Sequence, residues 1–225
     1  FHGREVATRV FERRRDAEAW EREQKRRLHL GEWFDPRRGR VPLETVAEDW
    51  LASRGSVKRR TRETDEATWR LHVEPRWGHI RVSDIRFTEV QAWVSELASR
   101  RGPVVVQMSH SVLSRILGDA VKDRVLSANP ARGVKLPPVV RKQNVYLTAA
   151  QLHALAHEAG RYDSLVLLLG TAGLRWSEVA ALRVSDVDFL RRRVHLSRNA
   201  VTLTGEVAVG TLKSGVTRTF ADPLD

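Results

Sequence analysis

Two stretches without hydrophobic periodicity decide how this chain can be divided. GEWFDPRRGRVP, residues 31–42, combines two Gly, two Pro and three Arg. ANPARGVKLPPVVRKQN, residues 128–144, carries three Pro and four basic residues. Proline lacks a backbone donor and glycine weakens regular structure, so neither stretch suits the interior of a helix or strand. They predict linkers over 33–42 and 128–144, separating segments 1–32, 43–127 and 145–225.

The middle segment has helical spacing throughout. Leu43, Val46, Trp50 and Leu51 share one helical face. A second helix is predicted from Thr61 to Glu74, ending before Pro75. Thr88 followed by Gln91 reads as a capping box for a third, with Val90, Trp93, Val94 and Leu97 on its apolar side. Gly102-Pro103 breaks it. A fourth helix is predicted over 104–126, burying Val105, Met108, Val112, Ile116 and Ala120. Four helices joined by short turns make a compact helical domain. Upstream, Val6 to Phe11 suggests a short strand and Asp16 to Leu30 a charged helix stopped by Gly31.

The last segment begins α and turns β. Thr148 and Gln151 form a second capping box, with Leu147 and Leu152 placed as a hydrophobic staple. A buried helix is expected around Leu165 to Leu169, stopped by Gly173, and another over Ser177 to Leu182. RRVHLS, EVAVGTLK and TRTF then read as short strands, with turn signals at Asn199, Gly205 and Ser214-Gly215. The expected fold class is mainly α with a small antiparallel β-sheet.

Charge limits the partners. The chain has 39 Lys and Arg against 28 Asp and Glu, a net of +11. Ten of those eleven charges fall in residues 1–144, so a polyanion is the expected partner of the first part. Cysteine is absent, which excludes disulfides, thiolate metal sites and Cys nucleophiles. The longest nearly apolar run, Leu165 to Leu174, is about half of what a membrane-spanning helix needs, and nothing in the pattern calls for a membrane.

TAGLRWSEVAAL, residues 171–182, is the most informative stretch for chemistry. Arg175 follows a glycine stop and precedes a helix, where the macrodipole disfavours a cation unless an anion is near. Glu178 or a phosphate could supply that anion. In LKSGVTRTF, Lys213 lies beside a Ser214-Gly215 turn between two strands.

TAGLRWSEVAALRVSDVDF with the Lys213 hairpin resembles the start of the catalytic domain of tyrosine recombinases of the phage integrase type. TRETDEATWRLHVEPRWGHIRVSDIRFTEVQAWVSEL and VLSRILGDAVKDRVLSANPARGVKLP are similar to that family's helical core-binding domain and its exit linker. Residues 1–32 resemble the tail of an arm-type DNA-binding domain. The resemblance implies a helical SAM-like core-binding domain over 43–127 and the first part of an α+β catalytic domain over 145–225. Arg175 would grip the scissile phosphate, Lys213 would protonate the leaving 5′ oxygen, and Glu178 would support the site. No metal or other cofactor is implied.

For the DNA-binding half, Lys58, Arg59, Arg60, Arg62 and Arg70 are expected to hold phosphates. Gln107, His110, Ser111 and Arg115 lie on the fourth helix, where Gln or His can reach base edges. Arg37, Arg38, Arg40, Arg141 and Lys142 are expected to add backbone contacts from the linkers. The seven Trp are expected to be mostly core.

The family's later motif is absent from these residues. The only tyrosines, Tyr146 and Tyr162, precede Arg175, so neither matches the nucleophile. His195-Leu-Ser-Arg198 fits His-x-x-Arg literally but precedes Lys213. If those residues share one strand, their side chains point to opposite faces. The expectation is therefore a site-specific recombinase truncated within its catalytic domain and inactive alone, or an inactive relic that only binds DNA and regulates. An unrelated helical transcription factor would leave Arg175 and Lys213 unexplained. The implied partners are double-stranded att core DNA, arm sites, further copies up to a tetramer, a host bending factor and a directionality factor, in a bacterial cytoplasm at the nucleoid.

Overall fold

The computed structural model describes residues 10–29, 37–140, 143–203, 205–212 and 215–221. The chain divides into two compact units, one through Arg141 and one from Lys142. Most of the strand expected at Val6 to Phe11 lies outside the described residues; Val10 and Phe11 are not in a strand. No helix of the described residues is long and apolar enough to cross a membrane.

In the first unit, α1 spans Arg14–His29, α2 Leu43–Ala52, α3 Arg59–Thr68, α4 Glu74–Trp77, α5 Phe87–Arg100 and α6 Pro103–Lys122. The core gathers the predicted faces: Leu43, Ala47 and Trp50 from α2, Val90, Trp93 and Val94 from α5, and Val112, Ile116 and Ala120 from α6. Trp77 is fully buried and meets Trp93 edge to face, with ring centroids 5.9 Å apart.

Three local expectations are corrected. Pro75 does not end the second helix: a π-helical turn at Trp69–Val73 joins α3 to α4. Pro75 thereby falls in the first turn of α4, where its missing donor costs nothing. The fourth helix is turned from the expected face. Val106, Ser109, Leu113 and Leu117 are buried with Val112, Ile116 and Ala120, whereas Met108 is exposed and Val105 only partly covered. Ser109 tolerates burial because its hydroxyl donates to the Val105 carbonyl at 2.8 Å. The third helix starts at Phe87, and Glu89, not Gln91, reaches back, accepting from the Arg86 amide at 3.3 Å.

Gln91 instead binds the segment read as a linker. Its amide donates to the Lys135 carbonyl at 3.1 Å and accepts from the Lys135 N–H at 2.8 Å. Asn129 donates to the Ser114 carbonyl at 2.8 Å, and Ala131 is fully buried with Val134 close behind. Residues 129–137 are thus a strap packed on α5 and α6. The end of the other predicted linker is also packed: Val82 N–H donates to the Val41 carbonyl at 3.0 Å, and Gly39 is buried against Ser83.

The second unit contains α7 (Ala149–Glu158), α8 (Asp163–Ala172) and α9 (Trp176–Val179). The Thr148 amide donates to Gln151 Oε1 at 2.9 Å, and the Gln151 amide donates to Thr148 Oγ1 at 3.3 Å, which is the predicted box. Leu152 packs over Gly170, where a Cβ would lie 2.5 Å from the leucine, so the glycine lets α7 and α8 approach closely. Contrary to expectation, no residue of α8 is fully buried, although Leu165, Leu168 and Leu169 pack on the small core of this unit.

Among the described residues five strands follow: β1 (Val187–Asp188), β2 (Arg193–Leu196), β3 (Arg198–Leu203), β4 (Glu206–Thr211) and β5 (Arg218–Ala221). They make two antiparallel sheets, β1-β2-β5 and the β3-β4 hairpin. Asn199 is not a turn: it lies in β3, opposite Gly210 of β4. Alternation is clearest in β2, where Val194 and Leu196 are buried and Arg193 and His195 exposed. The mainly α class with small antiparallel sheets is the observed one.

Candidate anion site and nucleic-acid interface

In the second unit a glycine sets the approach of the site. Gly173 closes α8 with φ +60°, a left-handed conformation suited to glycine. The chain then turns through buried Leu174 and extends at Arg175, with φ −79° and ψ 145°. Glu178 folds back: its Oε2 accepts from the Arg175 amide at 3.0 Å and its Oε1 from Arg175 Nη1 at 3.0 Å. A second guanidinium arrives from β5, with Arg218 Nη2 donating to the same Oε2 at 2.6 Å. The Glu178 side chain is only 3% exposed, while those of Arg175 and Arg218 are 56% and 45% exposed. A buried carboxylate thus holds two half-exposed cations.

Burial pushes the Glu178 carboxyl up, but the hydrogen bonds from Arg175 and the charges of Arg218 and Arg175 outweigh it, leaving the value lowered. A carboxylate depressed in the folded state stabilises fully above its unfolded value and loses that contribution as pH falls through the folded one. We expect the stability of this unit to decline as pH drops below the ordinary value of 4.5, and Glu178→Gln to remove that part of the decline. Denaturant melts of both proteins across an acid pH series measure it.

Of the two anions considered for Arg175, a carboxylate or a phosphate, Glu178 is the one in contact here, and Arg218 was not anticipated. Only the β2-β5 pairing, which sets Leu196 opposite Arg218, brings residue 218 to the sheet. Lys213 lies outside the described residues. His195 and Arg198 do not share a strand, which corrects the geometry expected for them. His195 is on β2 with Nδ1 2.9 Å from Thr219 Oγ1, whereas Arg198 opens β3 and binds Asp186 at 2.6 Å.

In the first unit, Lys58, Arg59 and Arg60 lie exposed at the start of α3, with Arg62 partly covered and Arg70 exposed in the π turn. Arg59 pairs with Glu63 at 3.0 Å and Arg62 with Glu66 at 3.5 Å, one turn along each time. Exposed pairs of this kind contribute little and yield readily to a stronger anion. A groove of about 240 Å³ between α3 and α6 is lined by Asp65, Thr68, Gln107, Ser111 and Arg115 among others. A neighbouring groove of about 360 Å³ carries Arg60, Thr64 and again Thr68. Of the residues expected to meet DNA, Arg60 lines the second hollow and Gln107, Ser111 and Arg115 the first.

Three α6 residues are already engaged. Gln107 donates to the Pro137 carbonyl at 2.9 Å and His110 Nε2 lies 2.8 Å from the Ala131 carbonyl, so both hold the strap. Arg115 binds Asp65 through both terminal nitrogens, at 3.0 and 2.7 Å. Arg54 reaches the same carboxylate at 2.7 Å, and both guanidiniums lie over the Trp50 ring. Asp65, buried to 5%, and Arg54 were missed, because nothing in RRTRETDE distinguishes this acid from its solvated neighbours. Ser111 is exposed, as are Arg37, Arg38 and Arg40. Arg141 and Lys142 lie outside the described residues.

Residues 43–98 match the family model of the phage integrase N-terminal SAM-like domain. The chain is 24% identical over 221 residues to an integrase of Mycobacterium phage L5, covering 94% of this chain and 59% of the relative. It is 28% identical over 209 residues to a putative prophage phiRv2 integrase of Mycobacterium tuberculosis, covering 89% and 54%. It thus spans little more than half the length of these relatives. Among solved structures, the Tn1549 transposon integrase in complex with a circular intermediate DNA aligns with a TM-score of 0.71 and 19% identity, over 80% of this chain and 60% of that one. A lambda integrase tetramer bound to a Holliday junction aligns with a TM-score of 0.63 and 17% identity, over 94% and 62%. These matches bear out the resemblance to phage integrases, and the solved integrases share the fold.

Proposed function

We propose that this chain is part of a site-specific tyrosine recombinase that integrates DNA at att core sites. Residues 43–127 act as the core-binding domain, with Lys58, Arg59, Arg60, Arg62 and Arg70 on phosphates and Ser111 facing the duplex. Residues 145–225 act as the first part of the catalytic domain, and residues 1–32 as the remnant of an arm-binding one. Arg175 grips the scissile phosphate, supported by Glu178, and Lys213 protonates the leaving 5′ oxygen. Attack on a phosphodiester builds negative charge on its non-bridging oxygens, and a cation fixed beforehand stabilises that state without reorganising. The nucleophile of that reaction is a tyrosine, and Tyr146 and Tyr162 both precede Arg175 in the chain, so neither matches it.

The observation that carries this reading is the Arg175 guanidinium, held half-exposed by a buried carboxylate within the stretch that resembles the catalytic motif. The relatives are integrases, and solved neighbours are bound to a circular intermediate DNA and, as a tetramer, to a Holliday junction. Assembly on DNA up to a tetramer follows by analogy.

The binding half is tested by fluorescence anisotropy with duplexes of unrelated sequence. Changing Lys58, Arg60 and Arg70 together to Gln should weaken binding at least about tenfold on every duplex, with folding stability changed by less than about 0.5 kcal/mol. Unchanged affinity would remove α3 from the interface.

A further inference from the structure

The sequence pointed to one phosphate-gripping arginine, but the fold supplies two on a common support. Arg175 and Arg218 stand 43 positions apart in the chain, yet both donate to the Glu178 carboxylate. That carboxylate is almost wholly buried, while each guanidinium keeps about half of its side-chain surface in solvent. Two guanidiniums against one carboxylate leave one positive charge uncompensated. Each guanidinium has five N–H donors, and of its nitrogens Arg175 commits Nη1 and Arg218 commits Nη2 to Glu178. The remaining donors stay in planes fixed by the carboxylate, which is how bidentate recognition of an oxyanion is prepared. A single phosphodiester carries the one negative charge that neutralises the cluster and the two non-bridging oxygens that two forks can share.

We propose that Arg218 is a second phosphate ligand, donating with Arg175 to one phosphodiester on the platform made by Glu178. This rests on the phosphate-gripping role proposed for Arg175. It adds that the site recognises the anion with two guanidiniums from different elements, one before α9 and one on β5. The pairing of β5 with β2 fixes the second, so the sheet as well as the helical turn shapes the site.

The test uses the full chain with ¹⁵N-labelled arginine, following side-chain Nε–H signals during titration with inorganic phosphate and, separately, with a DNA duplex. The Arg175 and Arg218 signals should move together on one isotherm with phosphate, and the same two should move with the duplex. Loss of one charge-assisted donor in Arg218→Gln should weaken the Arg175 isotherm about tenfold, with Arg218→Lys recovering part of it. Movement of Arg175 without Arg218 in the unmutated chain would overturn the proposal and leave Arg218 as a residue that only positions Glu178. Movement with phosphate but not with duplex would also overturn it, by excluding the DNA backbone as the source of the anion. If neither signal moves while anisotropy still reports duplex binding, the inference fails and the DNA-binding reading stands. Absence of duplex binding altogether would instead strike the proposed function.

Discussion

Asp65→Ala should lower the unfolding free energy of the helical unit by about 3 kcal/mol, near the low end for breaking a buried ion network. Asp65 is 5% exposed and holds Arg54 at 2.7 Å and Arg115 at 2.7 and 3.0 Å. Its removal strands Arg54, whose side chain is only 16% exposed and cannot recover its hydration without moving. Arg115, at 37%, can turn to water, which keeps the estimate from the top of the range. Because both guanidiniums lie over Trp50, the change should also alter the tryptophan emission of the native state. Urea denaturation followed by fluorescence measures both effects. A loss below about 1 kcal/mol would mean that the network behaves like a solvated surface pair. Replacing all three charges by apolar residues of similar volume should restore much of the loss, because it is the unpaired charge that destabilises.

Arg175→Ala, in a form of the protein that carries the nucleophilic tyrosine, should slow strand cleavage by about 10²–10³. Duplex affinity of residues 43–127 should be unaffected, because Arg175 belongs to the other compact unit and the basic residues of α3 are untouched. Single-turnover cleavage of a nicked duplex with saturating protein separates the two. A mutant that cleaves normally removes Arg175 from the chemistry. A mutant that no longer binds would show that Arg175 supports structure instead, and its partner Glu178, 3% exposed, would be the reason.

The parts of this protein legible in its sequence are those governed by neighbours in the chain. The α2 stripe of Leu43 and Trp50, the Thr148–Gln151 box and the glycine stop at Gly173 each depend on residues within about two turns. The Arg175–Glu178 pair was legible for the same reason, being three residues apart. What the sequence hid depends on distant partners. Gln91 looked like a cap because its ligand, Lys135, is 44 positions away. Gln107 and His110 looked free to reach base edges because the strap they hold had the composition of a linker. Asp65 was one acid among many until Arg54 and Arg115 closed on it, and Arg218 had no visible role before β5 paired with β2.

These cases share a physical cause. A long polar side chain has a local option and a tertiary option of similar strength, and only the packed chain decides between them. The strap illustrates the consequence. Proline excludes helix and strand but does not exclude order, and side chains from α5 and α6 supply the hydrogen bonds that its backbone cannot make with itself. Proline-rich segments beside polar helix faces are therefore poor evidence for flexibility.

If the first unit holds duplex DNA by its phosphates, as proposed, the salt dependence of its affinity is the most direct test. With Lys58, Arg59, Arg60, Arg62 and Arg70 on about five phosphates, affinity for a duplex of about 30 base pairs should fall roughly 500-fold between about 50 and about 200 mM salt. The logarithmic plot should be linear, and losing Arg60 should reduce its slope by about one. Binding that is undetectable at low salt, or equally strong at both concentrations, would contradict the account.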